Sequence, residues 1–410
     1  MGYYMYDRTE EITPYERYFA ALNGERLDRV PVMYYPRWVA LEYAGITFSE
    51  SWQNPDEHVR AQIVAQERFQ YDATIDFDMM GPVEEAMGAV LKYPEDDVPQ
   101  IEDPPIKTKD DMKKIKWKIN AYTDGNIPRV LYAVRRLKEE LIKRGNGRQR
   151  VPISTWGSSP ARTAACLTGF KNWFMIVAKQ PDWAQELMDL ALDGWVQQVK
   201  ACWENGVDHV WINDPVSSRD CISRKHYEEL TQPMQRKFIE AIRRETGMKT
   251  VFHPCGNWHD RLDLIFENQA SGYFLGPMDI DLCCAEGKKI MEKGTNPHFK
   301  CFTGNVGAAT KSTITDGQTA VPYGTTLKYG TPEEILEESK YVIDATEKAG
   351  IRLMLGTNCW DTKGTPMINR DAITYAARCH GRFSQMDFIS DEEKEAIAAN
   401  VKATLQKQRA

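Results

Sequence analysis

The sequence predicts an α/β fold, a TIM (β/α)8 barrel carrying an N-terminal helical extension and loop insertions. Two observations predict it: eight short β-branched or aromatic runs punctuated by Asp, Gly and Pro, and helix-length amphipathic segments between most of them. Such an alternation implies parallel strands, because each crossover helix covers the sheet it leaves, and eight units of this kind close into a barrel. The chain has 410 residues, whereas a minimal barrel needs about 250. The surplus is assigned to an N-terminal helical extension, 1–29, and to insertions at 80–150, rich in Pro, Asp and Lys, and at 307–330, rich in Gly and Thr. With no internal repeat and no linker, 1–410 reads as a single domain.

The strand candidates, in order, are VPVMYY (30–35), DATIDFDM (72–79), VPISTW (151–156), HVWIND (209–214), KTVFHP (249–254), SGYFLG (271–276), KCFTGNV (300–306) and RLMLGTNC (352–359). Segments 181–206 and 223–247 place apolar residues three and four apart, as one helix face requires, and Pro233 predicts a kink in the second. Segment 331–350 carries helix start and stop chemistry: Thr331 as N-cap, Pro332 at the first position, Glu333 and Glu334 in the first turn, Gly350 at the end.

Composition narrows the function classes. Hydrophobic residues make up 42% and charged residues 27%, an ordinary globular balance, and the net charge of −7 with dispersed Lys and Arg argues against a nucleic-acid partner. No apolar run approaches the roughly 18 residues of a membrane span, and the N-terminus lacks a secretory pattern. A cytoplasmic protein with no membrane association is expected. The nine cysteines are odd in number and scattered, unlike a disulfide framework, so reduced thiols are available as metal ligands.

Barrel chemistry sits where the loops leave the strand C-termini. The fourth strand ends in Asn213-Asp214, the fifth in His253-Pro-Cys255, and the eighth runs into Asn358-Cys359-Trp360-Asp361. One histidine and two cysteines thus share a rim, an open zinc set with three protein ligands and a fourth position for water or substrate. The competing reading is that each cysteine is a small buried apolar residue. Spacing alone leaves both open.

Further motifs carry a resemblance. FHPCGN (252–257), GNV (304–306), YGTPEEI (329–335) and LGTNCWDTKGTPMINRDAI (355–373), with YERYFAALNGERLDRVPV (15–32) and VDHVWINDPVSSRDCIS (207–223), resemble the uroporphyrinogen decarboxylase superfamily. Within it the chain resembles the cobalamin- or corrinoid-dependent methyltransferase branch, of the O-demethylase methyltransferase I or methylcobalamin:coenzyme M methyltransferase type. That resemblance implies a TIM barrel, one Zn²⁺ held by His253, Cys255 and Cys359, and methyl transfer to or from a corrinoid cobalt. No Asp-x-His-x-x-Gly motif is present, so the corrinoid (cobalamin) is expected from a carrier protein or free in solution, with 307–330 as the loop receiving the carrier. The metal-free decarboxylases are the competing branch. Their substrate, with its many carboxylates, needs a basic cleft, whereas MYYPRWVA (33–40) offers Arg37 alone.

Zinc could hold an acceptor thiol as thiolate, or bind the heteroatom of a methylated donor so that it leaves as a stabilised anion. Aromatic residues near the strand ends, Tyr34, Tyr35, Trp38, Trp156 and Trp360, with Trp211 and Trp258, favour the second sense and a flat methoxylated aromatic substrate; their alternative reading is core packing. Asn213 joins them as a substrate-binding candidate. Acid–base candidates are Asp214, Glu84 and Asp76, with Asp78 on the same face as Asp76; Asp214, preceding a proline, reads equally as a turn residue. Asn257 and His259 lie beside the motif, His259 reading as the start of the next helix. The expected partners are therefore a corrinoid carrier protein and a small methylated substrate, with self-association into a homo-oligomer left open.

Overall fold

The computed structural model describes residues 12–34, 37–75, 81–307, 325–359, 363–385 and 399. Thr13 starts the first helix, Pro14–Asn23, by a capping box with Glu16, and Gly24 ends it in the left-handed conformation at φ 76°. Helices Arg37–Ala44, Phe48–Gln53 and Pro55–Phe69 follow before the first strand. In chain order the strands are β1 (Thr74–Ile75), β2 (Val90–Lys92), β3 (Gln100–Asp103), β4 (Ile153–Ser158), β5 (His209–Asp214), β6 (Lys249–Pro254), β7 (Gly272–Phe274), β8 (Cys301–Val306) and β9 (Arg352–Thr357).

Seven of these form one parallel sheet in the order β1-β4-β5-β6-β7-β8-β9, and β2 and β3 pair antiparallel outside it. The ring is completed by residues 31–33. Met33 N donates to Leu355 O at 2.7 Å and Leu355 N to Pro31 O at 2.8 Å on one side, while Asp72 N donates to Val32 O at 2.7 Å on the other. The eighth position of the barrel is therefore filled by the predicted strand 30–35, reduced to a single bridge at Val32. Pro31 and Pro36, which have no N–H to give to a ladder, flank this short pairing. Of the second candidate, 72–79, Thr74 and Ile75 are strand and 76–80 lie outside the described residues. The remaining strands fall within two residues of their predicted bounds, and β5 and β6 match them.

The 80–150 segment is only partly an insertion. It contains the β2–β3 hairpin, but also helix Ile127–Arg144, which buries Val130, Val134, Leu137 and Leu141 and serves as the crossover between β1 and β4. The Pro, Asp and Lys that precede this helix gave the whole segment the look of an insertion. In the 223–247 stretch, the turn Tyr227–Thr231 is π-helical and Pro233 falls in the first turn of Gln232–Thr246. A proline that cannot bond back four residues is accommodated by widening the preceding turn. The helix Pro332–Ala349 carries the predicted Thr331 cap, its capping box with Glu334, and a left-handed Gly350.

Alternation along the strands sorts side chains into two layers. Met33, Ile75, Trp156, Trp211, Val251, Phe274, Cys301 and Met354 fill the barrel interior, and Tyr18 and Leu22 of the first helix join them from the N-terminal mouth. Beneath that helix, Arg17 pairs with Asp28 at 2.6 Å and with Asp72 at 2.7 Å, and Arg29 pairs with Asp72 at 2.8 Å. Asp72 also accepts from Val32 N at 2.6 Å. All four side chains are buried. Alternating charge lets each ion compensate the next, and the network ties the first helix to both segments that close the ring.

Candidate metal centre

The parallel register of β4, β5 and β6 sets Ser158, Asn213 and His253 side by side in one row at the C-terminal mouth. Trp156 lies one inward position below, its ring 6.3 Å from His253 and 5.5 Å from Trp211. It makes a floor. His253 is held from behind by Phe274, stacked at 4.2 Å, and its Nδ1 lies 3.0 Å from Phe274 O. A carbonyl can only accept, so Nδ1 carries the proton and Nε2 is left with a lone pair.

That lone pair faces Cys359 Sγ at 3.6 Å. With Cys255 Sγ, the three ligand atoms lie within 4.8 Å of one another. A tetrahedral zinc with ordinary Zn–S and Zn–N bonds has an S-to-N edge of about 3.6 Å, so the donor set and its spacing fit zinc. Among the described residues this is the one His/Cys/Asp/Glu group assembled so closely. The hydrogen bond with Cys359 and then burial hold the Cys255 thiol well above its ordinary value. Such a pair gives up its protons when a cation takes their place.

The ligand loop is rigidly placed. Gly256 has φ 96°, and a Cβ there would stand 3.1 Å from Ser218, so only glycine fits between Cys255 and the loop after β5. Trp258 Nε1 donates to Cys255 O at 2.7 Å. Arg219 N donates to Asn257 O at 3.0 Å, and Arg261 bonds Ser217 O and Ile222 O, each at 3.0 Å. His259 does not start a helix; it bridges Asn257 Oδ1 at 2.9 Å and Asp279 N at 3.1 Å, and the helix begins at Leu262. Asn257 Oδ1 also accepts from His259 N at 3.2 Å, so its oxygen is engaged twice by the same histidine.

The other candidates divide. Asp214 is fully buried and takes Val216 N at 3.1 Å, Ser217 Oγ at 2.9 Å and Gln235 Nε2 at 2.8 Å. Burial raises its pKa against these bonds. This is the turn residue that the Asp-Pro pair allowed, committed to its own loop and the following helix. Glu84, also buried, accepts from Thr163 Oγ1 at 2.8 Å and lies 3.6 Å from Arg162, while its Oε2 has no hydrogen-bond partner among the described residues. Tyr34 points outward: its hydroxyl bonds Arg370 O, and its ring packs on Phe69 and Tyr71. It is not a wall of the site, because alternation turns Met33, not Tyr34, inward. Trp211 and Trp258 are wholly buried packing residues. Asp76, Asp78, Tyr35 and Trp360 lie outside the described residues, as does the side chain of Trp38.

Two neighbours escaped the sequence reading. Arg162, 4% exposed, donates to Ser158 Oγ at 3.1 Å and so stands beside the metal row. Asn358 precedes the candidate ligand Cys359 and is 1% exposed; that adjacency was the signal available.

A profile of the uroporphyrinogen decarboxylase (URO-D) family matches residues 13–309. A methylcobamide:CoM methyltransferase, MtbA, of Methanosarcina acetivorans is 25% identical over 374 residues, covering 90% of this chain and 98% of that protein. A uroporphyrinogen decarboxylase of Saccharophagus degradans is 25% identical over 249 residues, covering 58% and 67%. Among solved structures, a methyltransferase from Methanosarcina mazei superposes with a TM-score of 0.70 at 23% identity, covering 90% of this chain and 98% of that one. It has the same fold.

Proposed function

The chain belongs to the uroporphyrinogen decarboxylase family, and we propose that within it this protein is a zinc-dependent corrinoid methyltransferase, moving a methyl group between a corrinoid cobalt and a heteroatom of a small substrate. The observation that carries this reading is the closure of His253, Cys255 and Cys359 onto one point at the barrel mouth, the position where barrels do their chemistry. Relatives spanning nearly the whole chain and named methylcobamide:CoM methyltransferases support it.

Bound by these three residues, zinc would act as a Lewis acid at an open fourth position, holding a sulfur or oxygen of the substrate. His253 is preset for this by the Phe274 carbonyl, which fixes its tautomer and ring plane. Trp156 closes the floor beneath the ring and keeps water out from below. Asn213, half-buried beside His253, is placed to touch substrate. Glu84 has one carboxylate oxygen free of hydrogen bonds among the described residues, which suits it to a proton-handling role. The corrinoid comes on a carrier protein or free.

Two senses of transfer follow. Methylation of a thiol is favoured by the names of the relatives. Demethylation of a methoxylated aromatic keeps the support of Trp156 at the site and loses that of Tyr34, Trp211 and Trp258, which are packing residues; Tyr35, Trp360 and the Trp38 side chain lie outside the described residues. A decarboxylase reading, which another relative's name offers, finds in Arg162 a cation already facing Glu84. The test is elemental analysis of wild type and Cys359→Ala, followed by assays with methylcobalamin plus thiols and with Co(I) corrinoid plus methoxyarenes. One zinc per chain, lost in the variant together with methyl transfer, supports the proposal; turnover without metal refutes it.

A further inference from the structure

Asn358 is 1% exposed, and among the described residues neither its Oδ1 nor its Nδ2 has a hydrogen-bond partner; of those residues it alone leaves donor and acceptor orphaned together. A buried amide in that state is costly, and folds seldom keep one without a use for it. Its place in the fold suggests the use. Asn358 N still pairs with Val306 O at 2.9 Å, continuing the β8–β9 ladder past Thr357. The side chain is therefore in phase with Met354, which fills the barrel interior, and one residue from the ligand Cys359.

We infer that Asn358 is a specificity-determining residue whose amide binds an uncharged polar group of the substrate, one that both donates and accepts a hydrogen bond, such as a hydroxyl or carboxamide close to the heteroatom that meets the metal. This rests on the zinc methyltransfer reading above. An amide oxygen and N–H left open together are satisfied by a partner of mixed character. A sulfonate or carboxylate, which can only accept, would satisfy Nδ2 but set its charge against Oδ1. The surroundings agree: Arg162, a buried cation at this mouth, is already engaged by Glu84 at 3.6 Å and by Ser158, and the paired ends of β4 and β5 present the uncharged Ser158 and Asn213.

The experiment loads the full chain with Co(II) in place of zinc and follows the visible bands as 2-mercaptoethanol or 2-mercaptoethanesulfonate is added, in wild type, Asn358→Leu and Asn358→Ser. Wild type should bind the hydroxyl thiol at least about tenfold more tightly than the sulfonate thiol, and both variants should lose that preference while holding one metal per chain. Asn358→Leu should also unfold at the same or a higher urea concentration, since an orphaned amide has been replaced by an apolar group of similar size. Equal thiol preference in all three proteins, metal loss in the variants, or a large fall in the urea midpoint would each overturn the assignment. If neither thiol perturbs the wild-type bands, the zinc–thiol reading itself fails and this inference with it.

Discussion

Both mouths of the barrel bury polar side chains, but to opposite ends. At the N-terminal mouth, Arg17, Asp28, Arg29 and Asp72 are buried as a chain of alternating charge in which each ion faces an opposite one. At the C-terminal mouth, His253 Nε2 and two thiol sulfurs converge on a point with no protein cation between them, and Asn358 and Glu84 keep polar atoms unpaired among the described residues. A closed network stabilises; a set of donors left open waits for a ligand. The difference teaches that burial of polar groups alone does not mark a site. Incomplete pairing at the loop end of the strands does.

Substitutions on either side should separate the two roles. The largest effect is expected at the open mouth: Cys359→Ala should remove the zinc and lower kcat/KM on the order of a thousandfold, while the urea unfolding midpoint of the metal-free protein stays near that of metal-free wild type. A parallel loss of stability in the metal-free state would blur the comparison. At the closed mouth, Asp72→Ala leaves two buried guanidinium groups facing one carboxylate fewer and should cost about 3–5 kcal/mol in urea unfolding. Metal content of the folded fraction should be unchanged.

His209 supplies a smaller effect that depends on pH. It is buried beneath the first helix, stacked on Tyr18 at 4.5 Å, and burial lowers its pKa to about 3. The unfolded chain takes up this proton near pH 6.5 and the folded chain does not, so stability is complete above that value and falls as pH drops toward 3. The slope from this group is about 1.4 kcal/mol per pH unit once below the unfolded value. Denaturation midpoints measured from pH 7.5 to pH 5 in wild type and His209→Phe should diverge, with the variant flatter. Identical slopes would show that the imidazole is charged in the fold. The smallest effect belongs to Tyr34→Phe, which removes a hydroxyl bonded to Arg370 O; a loss of about 1 kcal/mol with unchanged kcat and KM is expected. Altered kinetics would return Tyr34 to the substrate wall.

The sequence alone determined the repeating units and singled out the candidate triad His253, Cys255 and Cys359. The runs HVWIND and KTVFHP carry β-branched and aromatic residues between breakers, and they became β5 and β6 with those bounds. Local propensity decides such elements because their central β-branched and aromatic residues agree. Likewise, His253, Cys255 and Cys359 were legible because each lies at or just past the end of a strand, and parallel strands in a closed ring bring their ends to one rim. The tertiary structure decided the rest. Whether residues 30–35 form a strand depended on hydrogen bonds with Leu355 and Asp72, partners that no local window contains. Which aromatics face the barrel interior depended on the phase of alternation, so that Tyr34 turned outward while Trp156 turned in. Asp214 could be a proton donor or a loop anchor until Gln235 and Ser217 arrived to occupy its oxygens. Propensity acts through neighbours in the chain, whereas pairing, phase and the occupation of lone pairs are set by neighbours in space.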